Sequence, residues 1–187
     1  MIELQIKGIH LQLESDSRLF SPQKADAGTL LLLNHVDFSP QDKVLDLGCG
    51  YGLVGITAAS LIPPEQIYMT DIDSLAVATA SNNLKLNGIS GVTIMQGNAY
   101  EGVDCSDFTL ILSNPPYHTD FSVAKTFIEK GFNRLAIDGR LFMVTRRKDW
   151  YKNKLIAIFG GARIWEEDGY YVFMAIKRNN NYAKRKV

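Results

Sequence analysis

The segment Ser113-Asn114-Pro115-Pro116-Tyr117-His118 is the part of the chain whose residue types most directly suggest chemistry. Two consecutive prolines fix two φ angles and remove two backbone N–H donors. The groups that remain are carbonyl acceptors, the Asn114 side chain and an aromatic ring, which together suit a planar substrate that carries an amino group. Asn114 and the Pro115 carbonyl can each accept one amine hydrogen, and Tyr117 can stack on the planar group.

A glycine-rich segment, Asp46-Leu47-Gly48-Cys49-Gly50-Tyr51-Gly52, follows a short apolar run and is typical of a ligand-binding turn. Glycine permits positive φ angles and a close approach of the backbone to a ligand. We expect the loop amides and the start of the following helix to receive an anion. A dinucleotide fingerprint would have its third glycine at position 53, where this chain has Leu53, so the pattern disfavours a nicotinamide cofactor.

Two further polar side chains stand directly after apolar runs. Asp71 ends the run 67–71 and lies 21 residues past Gly50, a spacing at which its carboxylate could accept hydrogen bonds from vicinal ribose hydroxyls. Asn98 follows the run 92–97 and could bond the amino group of an adenine. Asp73 is interpreted as the N-cap of the next helix.

The elements that must position these residues alternate along the chain. Strands are predicted at 43–48, 67–71, 92–97, 108–113 and 140–145, and helices at 24–37, 52–62, 74–87, 121–137 and 150–159. Two strands, at 162–167 and 170–177, are joined by Asp168-Gly169, a hairpin signal. The pattern predicts a doubly wound α/β fold with a mostly parallel seven-stranded Rossmann-like sheet, an antiparallel C-terminal strand pair and a short N-terminal strand extension. Ligands bind such sheets at the carboxyl ends of the strands, which is where each candidate residue stands.

These motifs resemble those of a known enzyme family. The Asp-x-Gly-x-Gly-x-Gly loop resembles that of S-adenosylmethionine-dependent methyltransferases. The Asn-Pro-Pro-Tyr sequence is similar to that of amino-methyltransferases acting on adenine N6, guanine N2 or a glutamine amide nitrogen. His118 and the upstream segment Phe20-Ser21…Asp26-Ala27-Gly28-Thr29 resemble more closely the bacterial ribosomal RNA guanine-N2 methyltransferases of the small-methyltransferase-domain group.

The resemblance implies a methyltransferase fold, S-adenosylmethionine as cofactor and transfer of its methyl group to an exocyclic amine. Residues expected to bind the cofactor are Asp46, Gly48, Cys49, Gly50, Gly52, Asp71, Ile72, Asn98, Ala99 and Asn114. Residues expected to be catalytic are Asn114, Pro115, Pro116 and Tyr117. Residues expected to touch the substrate are His118, Arg146, Arg147 and Lys148.

The charge distribution favours a polyanionic partner. The net charge of zero conceals a difference, since residues 1–122 carry 5 Lys+Arg and 14 Asp+Glu, whereas residues 123–187 carry 15 Lys+Arg and 6 Asp+Glu. The basic group at 146–148 follows the fifth strand at the edge that holds the predicted site, and cations there could neutralise phosphates. We therefore expect ribosomal RNA or the small ribosomal subunit as partner, and a monomer or homodimer.

Composition excludes several other classes. With 46% hydrophobic and 21% charged residues the chain is neither disordered nor fibrous. We expect no signal peptide, no membrane span and a cytoplasmic location. Cys49 and Cys105 form no metal-ligand pattern, so no metal is expected.

One domain is predicted at 1–178 (1–40 the N-terminal strands and helix, 41–178 the Rossmann-like core), followed by a flexible basic tail at 179–187.

Other functions stay open at this point. A protein glutamine-N5 or adenine-N6 methyltransferase would share the Asn-Pro-Pro-Tyr sequence. A non-catalytic RNA-binding module and a nicotinamide-dependent oxidoreductase are weaker alternatives.

Overall fold

The computed structural model describes residues 1–183 except 20, 22 and 117–119. Nine strands and five α-helices alternate along this part of the chain. The strands are β1 Ile2–Ile6, β2 Ile9–Leu13, β3 Val44–Leu47, β4 Ile67–Asp71, β5 Thr93–Gln96, β6 Phe108–Ser113, β7 Leu135–Thr145, β8 Arg163–Glu167 and β9 Tyr170–Ile176. The helices are α1 Ala27–His35, α2 Leu53–Ala59, α3 Ser74–Leu86, α4 Ser122–Arg134 and α5 Lys148–Phe159.

Seven strands form one sheet in the order β5-β4-β3-β6-β7-β9-β8, and β1 and β2 form a separate antiparallel hairpin. The strands from β5 to β7 are parallel, whereas β9 runs antiparallel to both β7 and β8. The predicted sheet, its antiparallel C-terminal pair and its N-terminal extension are therefore confirmed. The chain builds outward from β3 through β4 and β5 and then returns to place β6 on the other side of β3. The carboxyl ends of β3 and β6 consequently lie side by side at the switch point, where the Ser113 hydroxyl donates to the Leu47 carbonyl at 2.7 Å.

Helices cover both faces of the sheet because side chains of the central strands alternate between two apolar clusters. One cluster contains Val44 and Leu110 and packs against the hairpin and helices α1 to α3. The other contains Leu45 and Ile111 and packs against α4 and α5.

The boundary between α4 and β7 differs from its prediction. The helix ends at Arg134 rather than at 137, and the strand begins at Leu135 rather than at 140. The pairing of β7 with β6 shifts between Phe108 and Leu110, so residues 136–139 form an irregularity inside the strand. Its exposed Asp138 adopts a φ of 65°. The apolar sequence Leu-Ala-Ile at 135–137 continues the helical pattern, which is why periodicity alone misplaces the junction.

Two asparagines, one in the last turn of α3 and one at its C-cap, attach the N-terminal hairpin to the rest of the domain. The buried Asn83 accepts the Glu14 N–H at 2.7 Å and donates to the Glu14 carbonyl at 2.8 Å and the Tyr51 carbonyl at 2.9 Å. Asn87 accepts the Gln12 N–H at 3.1 Å and donates to the Gln12 carbonyl at 2.7 Å. Each side-chain amide thus bonds one hairpin residue as a neighbouring strand would, and Asn83 also ties the hairpin to the glycine-rich loop.

Replacing Asn83 with leucine is expected to lower the free energy of unfolding by about 3 kcal/mol, because it removes the partner of one buried and two part-buried backbone groups. Urea denaturation of the variant measures this loss. Asn82→Leu is the matched control, since Asn82 is exposed on the same helix and should change stability by about 0.5 kcal/mol or less. Equal losses in the two variants would contradict the bridging role of Asn83.

Part of the predicted flexible tail contacts the domain. The Tyr182 ring packs edge-on against Phe132, with ring centroids 5.1 Å apart, and the Ala183 N–H donates to the Ile158 carbonyl at 3.0 Å. Residues 184–187, which carry the last three basic side chains, lie outside the described residues. Within the described part of the chain, no helix has the length and apolar character that a membrane crossing requires.

Candidate functional site

A cavity of about 460 Å³ opens at the carboxyl ends of β3, β4 and β6. A cavity of this size suits a small organic ligand. Its lining includes these predicted site residues: Asp46, Gly48, Cys49, Gly50, Asp71, Ile72, Asn98, Ala99, Asn114, Pro115 and Pro116. Gly52, also predicted, is not among the described lining residues and is the N-cap of α2. The structure thus brings together side chains that are up to 70 positions apart in the sequence, from Asp46 to Pro116.

The glycine-rich loop turns sharply between β3 and α2. Gly50 and Gly52 have φ angles of 56° and 96°, a region that residues with a Cβ rarely occupy. The amides of Gly48 and Cys49 both donate to the Thr70 carbonyl, at 2.9 and 3.0 Å, and the Gly50 amide donates to Asp71. The expectation that these three loop amides receive a ligand anion is therefore wrong, because they hold the loop against β4. What the loop offers a ligand is the close approach of its backbone.

Asp71 is held in one orientation by two backbone amides. Its Oδ2 accepts the Gly50 N–H at 2.8 Å and its Oδ1 accepts the Asp73 N–H at 3.0 Å. A carboxylate oxygen has capacity for a second hydrogen bond, so both oxygens can still accept from a ligand. This pre-set geometry fits the predicted binding of a vicinal diol. Asp73 caps α3 by accepting the Leu75 N–H at 2.8 Å, as predicted.

Asp46 is a buried acid beneath the cavity floor. Its Oδ2 accepts the Gly55 N–H at 2.8 Å, so its side chain fastens the first turn of α2 to the end of β3. Burial raises the pKa of this carboxyl from 3.8 to about 7; the Gly55 hydrogen bond opposes the rise, and the nearby Asp71 charge adds to it. Asp46 therefore changes its charge near neutral pH.

Replacing Asp46 with asparagine is expected to remove part of the pH dependence of stability. A carboxyl whose pKa is higher in the folded than in the unfolded state stabilises the fold below its unfolded pKa, and this contribution is lost as pH rises through the folded pKa. Each pKa unit corresponds to about 1.4 kcal/mol, so the wild type should lose on the order of a few kcal/mol, relative to Asp46→Asn, between about pH 4 and pH 8. Urea denaturation of both proteins across this range measures the difference. A constant difference across that range would show that Asp46 does not titrate as described.

Asn98 and Ala99 lie in a tight turn after β5. The Asn98 N–H donates to a Glu101 carboxylate oxygen at 3.1 Å, and Ala99 adopts a φ of 57°. A Cβ at Gly97 would stand 2.3 Å from the Glu101 carbonyl oxygen, so only glycine fits there. The turn leaves the exposed Asn98 at the cavity edge, where it could meet a ligand as predicted.

Asn114 lines the cavity and carries a buried acceptor without a partner. Its Nδ2 donates to Asp26 Oδ2 at 2.8 Å and to Thr29 Oγ1 at 2.9 Å. Its Oδ1 is buried and has no hydrogen-bond partner among the described residues. A buried polar atom without a partner is costly, so it points to a donor that a ligand supplies. This arrangement matches the predicted role of Asn114 as an acceptor for an amine hydrogen.

Pro115 and Pro116 continue the lining beyond Asn114. Tyr117 and His118, predicted to stack on and to touch the substrate, lie outside the described residues.

Several lining residues were not identified from the sequence. Asp26 and Thr29, at the start of α1, contact Asn114 although 88 and 85 positions separate them from it. The spacing of Asp26 and Thr29 before a leucine run is a helix N-cap signal that could have marked this end of the helix, but no sequence signal connects it to Asn114. Phe127 contributes an apolar wall from α4, and Arg18 reaches the rim while paired with Asp16 at 2.8 Å.

Cys49 lines the cavity as an inert side chain. Burial raises the pKa of its thiol, and the nearby charge of Asp46 adds to this effect, so the thiol stays protonated at neutral pH.

The three predicted substrate-binding cations are not among the cavity's described lining residues. Arg146 donates to the Tyr170 hydroxyl at 2.9 Å, and the Arg147 guanidinium lies 5.0 Å from the centre of the Phe121 ring. Lys148 pairs with Glu166 of β8 at 2.9 Å. Their contact with a substrate stays a prediction.

Comparison with known sequences places the chain in one family. The model of the methyltransferase small domain matches residues 10–174. The ribosomal RNA small subunit methyltransferase C of Pseudomonas entomophila is 32% identical over 182 residues, which are 94% of this chain and 54% of that protein. The uncharacterized protein YbxB of Bacillus subtilis is 33% identical over 170 residues, covering 87% of this chain and 84% of that protein. The chain thus spans about half the length of the first of these relatives and most of the second.

A solved structure has the same architecture. The 16S rRNA N2 G1207 methyltransferase of Thermus thermophilus, determined in complex with AdoMet and guanosine, superposes with a TM-score of 0.87. Its sequence is 25% identical, and the match covers 94% of this chain and 50% of that one.

Proposed function

The chain belongs to the methyltransferase small domain family, as the match over residues 10–174 shows, and on that premise we propose its reaction. We propose that it uses S-adenosylmethionine to methylate an exocyclic amino group, and that this group is N2 of a guanine in ribosomal RNA. Such a substrate would place the protein with ribosomes in the cytoplasm.

One observation carries the proposal for an amine substrate. The Asn114 Oδ1 is buried, unpaired among the described residues and beside the cavity, while the Nδ2 of the same side chain is held by Asp26 and Thr29. An acceptor fixed in this way suits an incoming N–H group, which would satisfy it.

The protein's own residues supply positioning rather than acid–base chemistry. Asp71, locked by two amides, would bind the ribose hydroxyls, and Asn98 would meet the adenine. Asn114 Oδ1 and the Pro115 carbonyl would accept the two hydrogens of the target amine, which turns the nitrogen lone pair out of conjugation and toward the methyl group. S-adenosylmethionine supplies that methyl on a sulfonium, which makes it electrophilic. No general base is required, because the methylated ammonium loses its proton readily.

The choice of guanine N2 in ribosomal RNA rests on similarity. The motif Asn-Pro-Pro-Tyr-His and the segment from Phe20 to Thr29 resemble those of guanine-N2 enzymes. The Pseudomonas relative is named a ribosomal RNA small subunit methyltransferase, and the Thermus protein a 16S rRNA N2 G1207 methyltransferase. The cations at 146–148 support RNA less strongly, since each has an intramolecular contact.

The experiment that tests the proposal measures transfer of labelled methyl groups from S-adenosylmethionine. The acceptors are 16S ribosomal RNA transcribed in vitro, small subunits reconstituted with it, and a protein extract, each followed by mass identification of the product. N2-methylguanosine in either RNA sample is the expected result. A methylated adenine or glutamine would keep the amine chemistry and overturn the guanine assignment. Absence of transfer to all three acceptors would overturn the proposed activity.

A further inference from the structure

The side chain of Asp26 determines which end of the Asn114 amide is bonded within the protein and which end is left without a partner. An asparagine amide is nearly symmetric in shape, so packing alone does not distinguish its carbonyl oxygen from its NH2 group. In this site the distinction decides function, because only the oxygen can accept a hydrogen bond from an amine. Its hydrogen-bond partners must therefore set the orientation.

Helix capping fixes the position of the Asp26 carboxylate. Asp26 is the N-cap of α1, with φ −65° and ψ 130°, and is 7% exposed. Its Oδ2 accepts the Thr29 N–H at 2.8 Å and the Thr29 hydroxyl at 3.2 Å. The helix terminus therefore requires an acceptor oxygen at this point, whatever stands in the cavity.

The same oxygen accepts from Asn114. Asp26 Oδ2 lies 2.8 Å from Asn114 Nδ2, and Thr29 Oγ1 lies 2.9 Å from it. The Thr29 hydroxyl hydrogen is directed at Asp26, so its lone pairs face Asn114. A flipped amide would set Asn114 Oδ1 against a carboxylate oxygen with no hydrogen between them, and it could bond Thr29 only if the hydroxyl turned its hydrogen away from Asp26. The capping group of α1 thus admits one orientation.

We propose that Asp26 is a positioning residue for methyl transfer, which acts by holding the Asn114 carbonyl toward the target amine. The proposal rests on the proposed function for its catalytic consequence. It requires an acceptor oxygen at the N-cap and does not require the negative charge, and this distinction makes it testable.

The test compares two replacements that both cap helices well. Asp26→Asn keeps a side-chain oxygen that can accept from the Thr29 N–H and from Asn114 Nδ2, so the Asn114 amide keeps its orientation. Asp26→Ser also accepts the Thr29 N–H, but its shorter side chain falls short of Asn114. With 16S ribosomal RNA transcribed in vitro as substrate, we expect Asp26→Asn to keep kcat within about threefold of the wild type and Asp26→Ser to lower it at least about tenfold. KM for RNA and Kd for S-adenosylmethionine should change by about twofold or less in both variants.

Asp42 provides matched controls at the opposite end of the sheet. It is 6% exposed, accepts the Ser39 N–H at 2.7 Å and accepts the Thr109 hydroxyl at 2.6 Å, which closely parallels Asp26. Asp42→Asn and Asp42→Ser should lower Tm, and both should retain the kcat of the wild type. A loss of kcat in Asp42→Ser equal to that in Asp26→Ser would assign the effect to stability and overturn the proposal.

A second readout does not depend on the substrate. The side-chain NH2 resonances of Asn114, assigned by their absence in Asn114→Ala, report the bond to Asp26. We expect these resonances to shift in Asp26→Ser and to stay near their wild-type positions in Asp26→Asn. Unchanged resonances in Asp26→Ser, or equal kcat values for the two Asp26 variants, would overturn the positioning role. If the wild type methylates no RNA, the proposed function fails, and the NMR comparison alone decides whether Asp26 orients Asn114.

Discussion

Replacing Asn114 with alanine is expected to lower kcat for methyl transfer by about 100-fold or more, the range seen when one aligned hydrogen-bonding group is removed from an active site. The variant loses the buried Oδ1, which has no hydrogen-bond partner among the described residues. In the proposed mechanism the target amine donates to this atom. This hydrogen bond strengthens as the amine nitrogen gains positive charge in the transition state, so the loss should fall on kcat. Single-turnover transfer to 16S ribosomal RNA measures the effect.

Cofactor affinity separates this role from a purely structural one. Most of the cavity lining, including Asp71 and the glycine loop, is untouched by the substitution, so Kd for S-adenosylmethionine should change by about threefold or less. A fall in kcat accompanied by a tenfold or larger rise in Kd would show that Asn114 serves the cofactor rather than the amine. Unchanged kcat would remove Asn114 from the mechanism.

The residues that sequence reasoning identified share a local signal. Gly50, Asp71 and Asn114 each stand at the carboxyl end of an apolar strand or within three residues of it, and parallel strands bring such positions to one edge of the sheet. Strand order and residue type therefore sufficed to bring together 11 of the 24 described lining residues of the cavity. The fold was predictable for the same reason, because most strands and helices of the α/β core have their own apolar pattern and end signal, the junction of α4 and β7 being the exception.

The parts that escaped prediction depend on distant contacts. Asp26 acts through a hydrogen bond to a side chain 88 positions away. Its own neighbourhood indicates a helix cap and a family resemblance, but not this contact. The amides of Gly48 and Cys49 were expected to face a ligand, yet they bond the Thr70 carbonyl, a group that any residue at position 70 would provide. The basic sequence at 146–148 does not indicate that Lys148 pairs with Glu166, because Glu166 belongs to the hairpin of β8 and β9, which follows 15 residues or more later in the chain.

Replacing Asp71 with alanine is expected to weaken S-adenosylmethionine binding by about 100-fold, because it removes two charge-assisted hydrogen bonds of about 1.5 kcal/mol or more each. The two amides that hold the carboxylate, from Gly50 and Asp73, leave both of its oxygens able to accept from vicinal hydroxyls. Removing it also frees the Gly50 amide and loosens the glycine loop at the cavity wall. Isothermal titration calorimetry with S-adenosylmethionine measures Kd directly, without any RNA.

A change in net charge alone would produce a weaker effect, and Asp104→Ala isolates it. Asp104 is exposed and absent from the described cavity lining, so its removal should alter Kd by about twofold or less. Asp71→Asn should bind nearly as weakly as Asp71→Ala, since an amide has one acceptor oxygen and must turn its NH2 group toward the Gly50 or Asp73 N–H. A normal Kd in Asp71→Asn would mean that the side chain fixes the loop by shape and makes no paired contact with the ribose. Asp71 and Asn114 thus have separate roles in the site: substitution of Asp71 should change cofactor affinity, and substitution of Asn114 should change kcat.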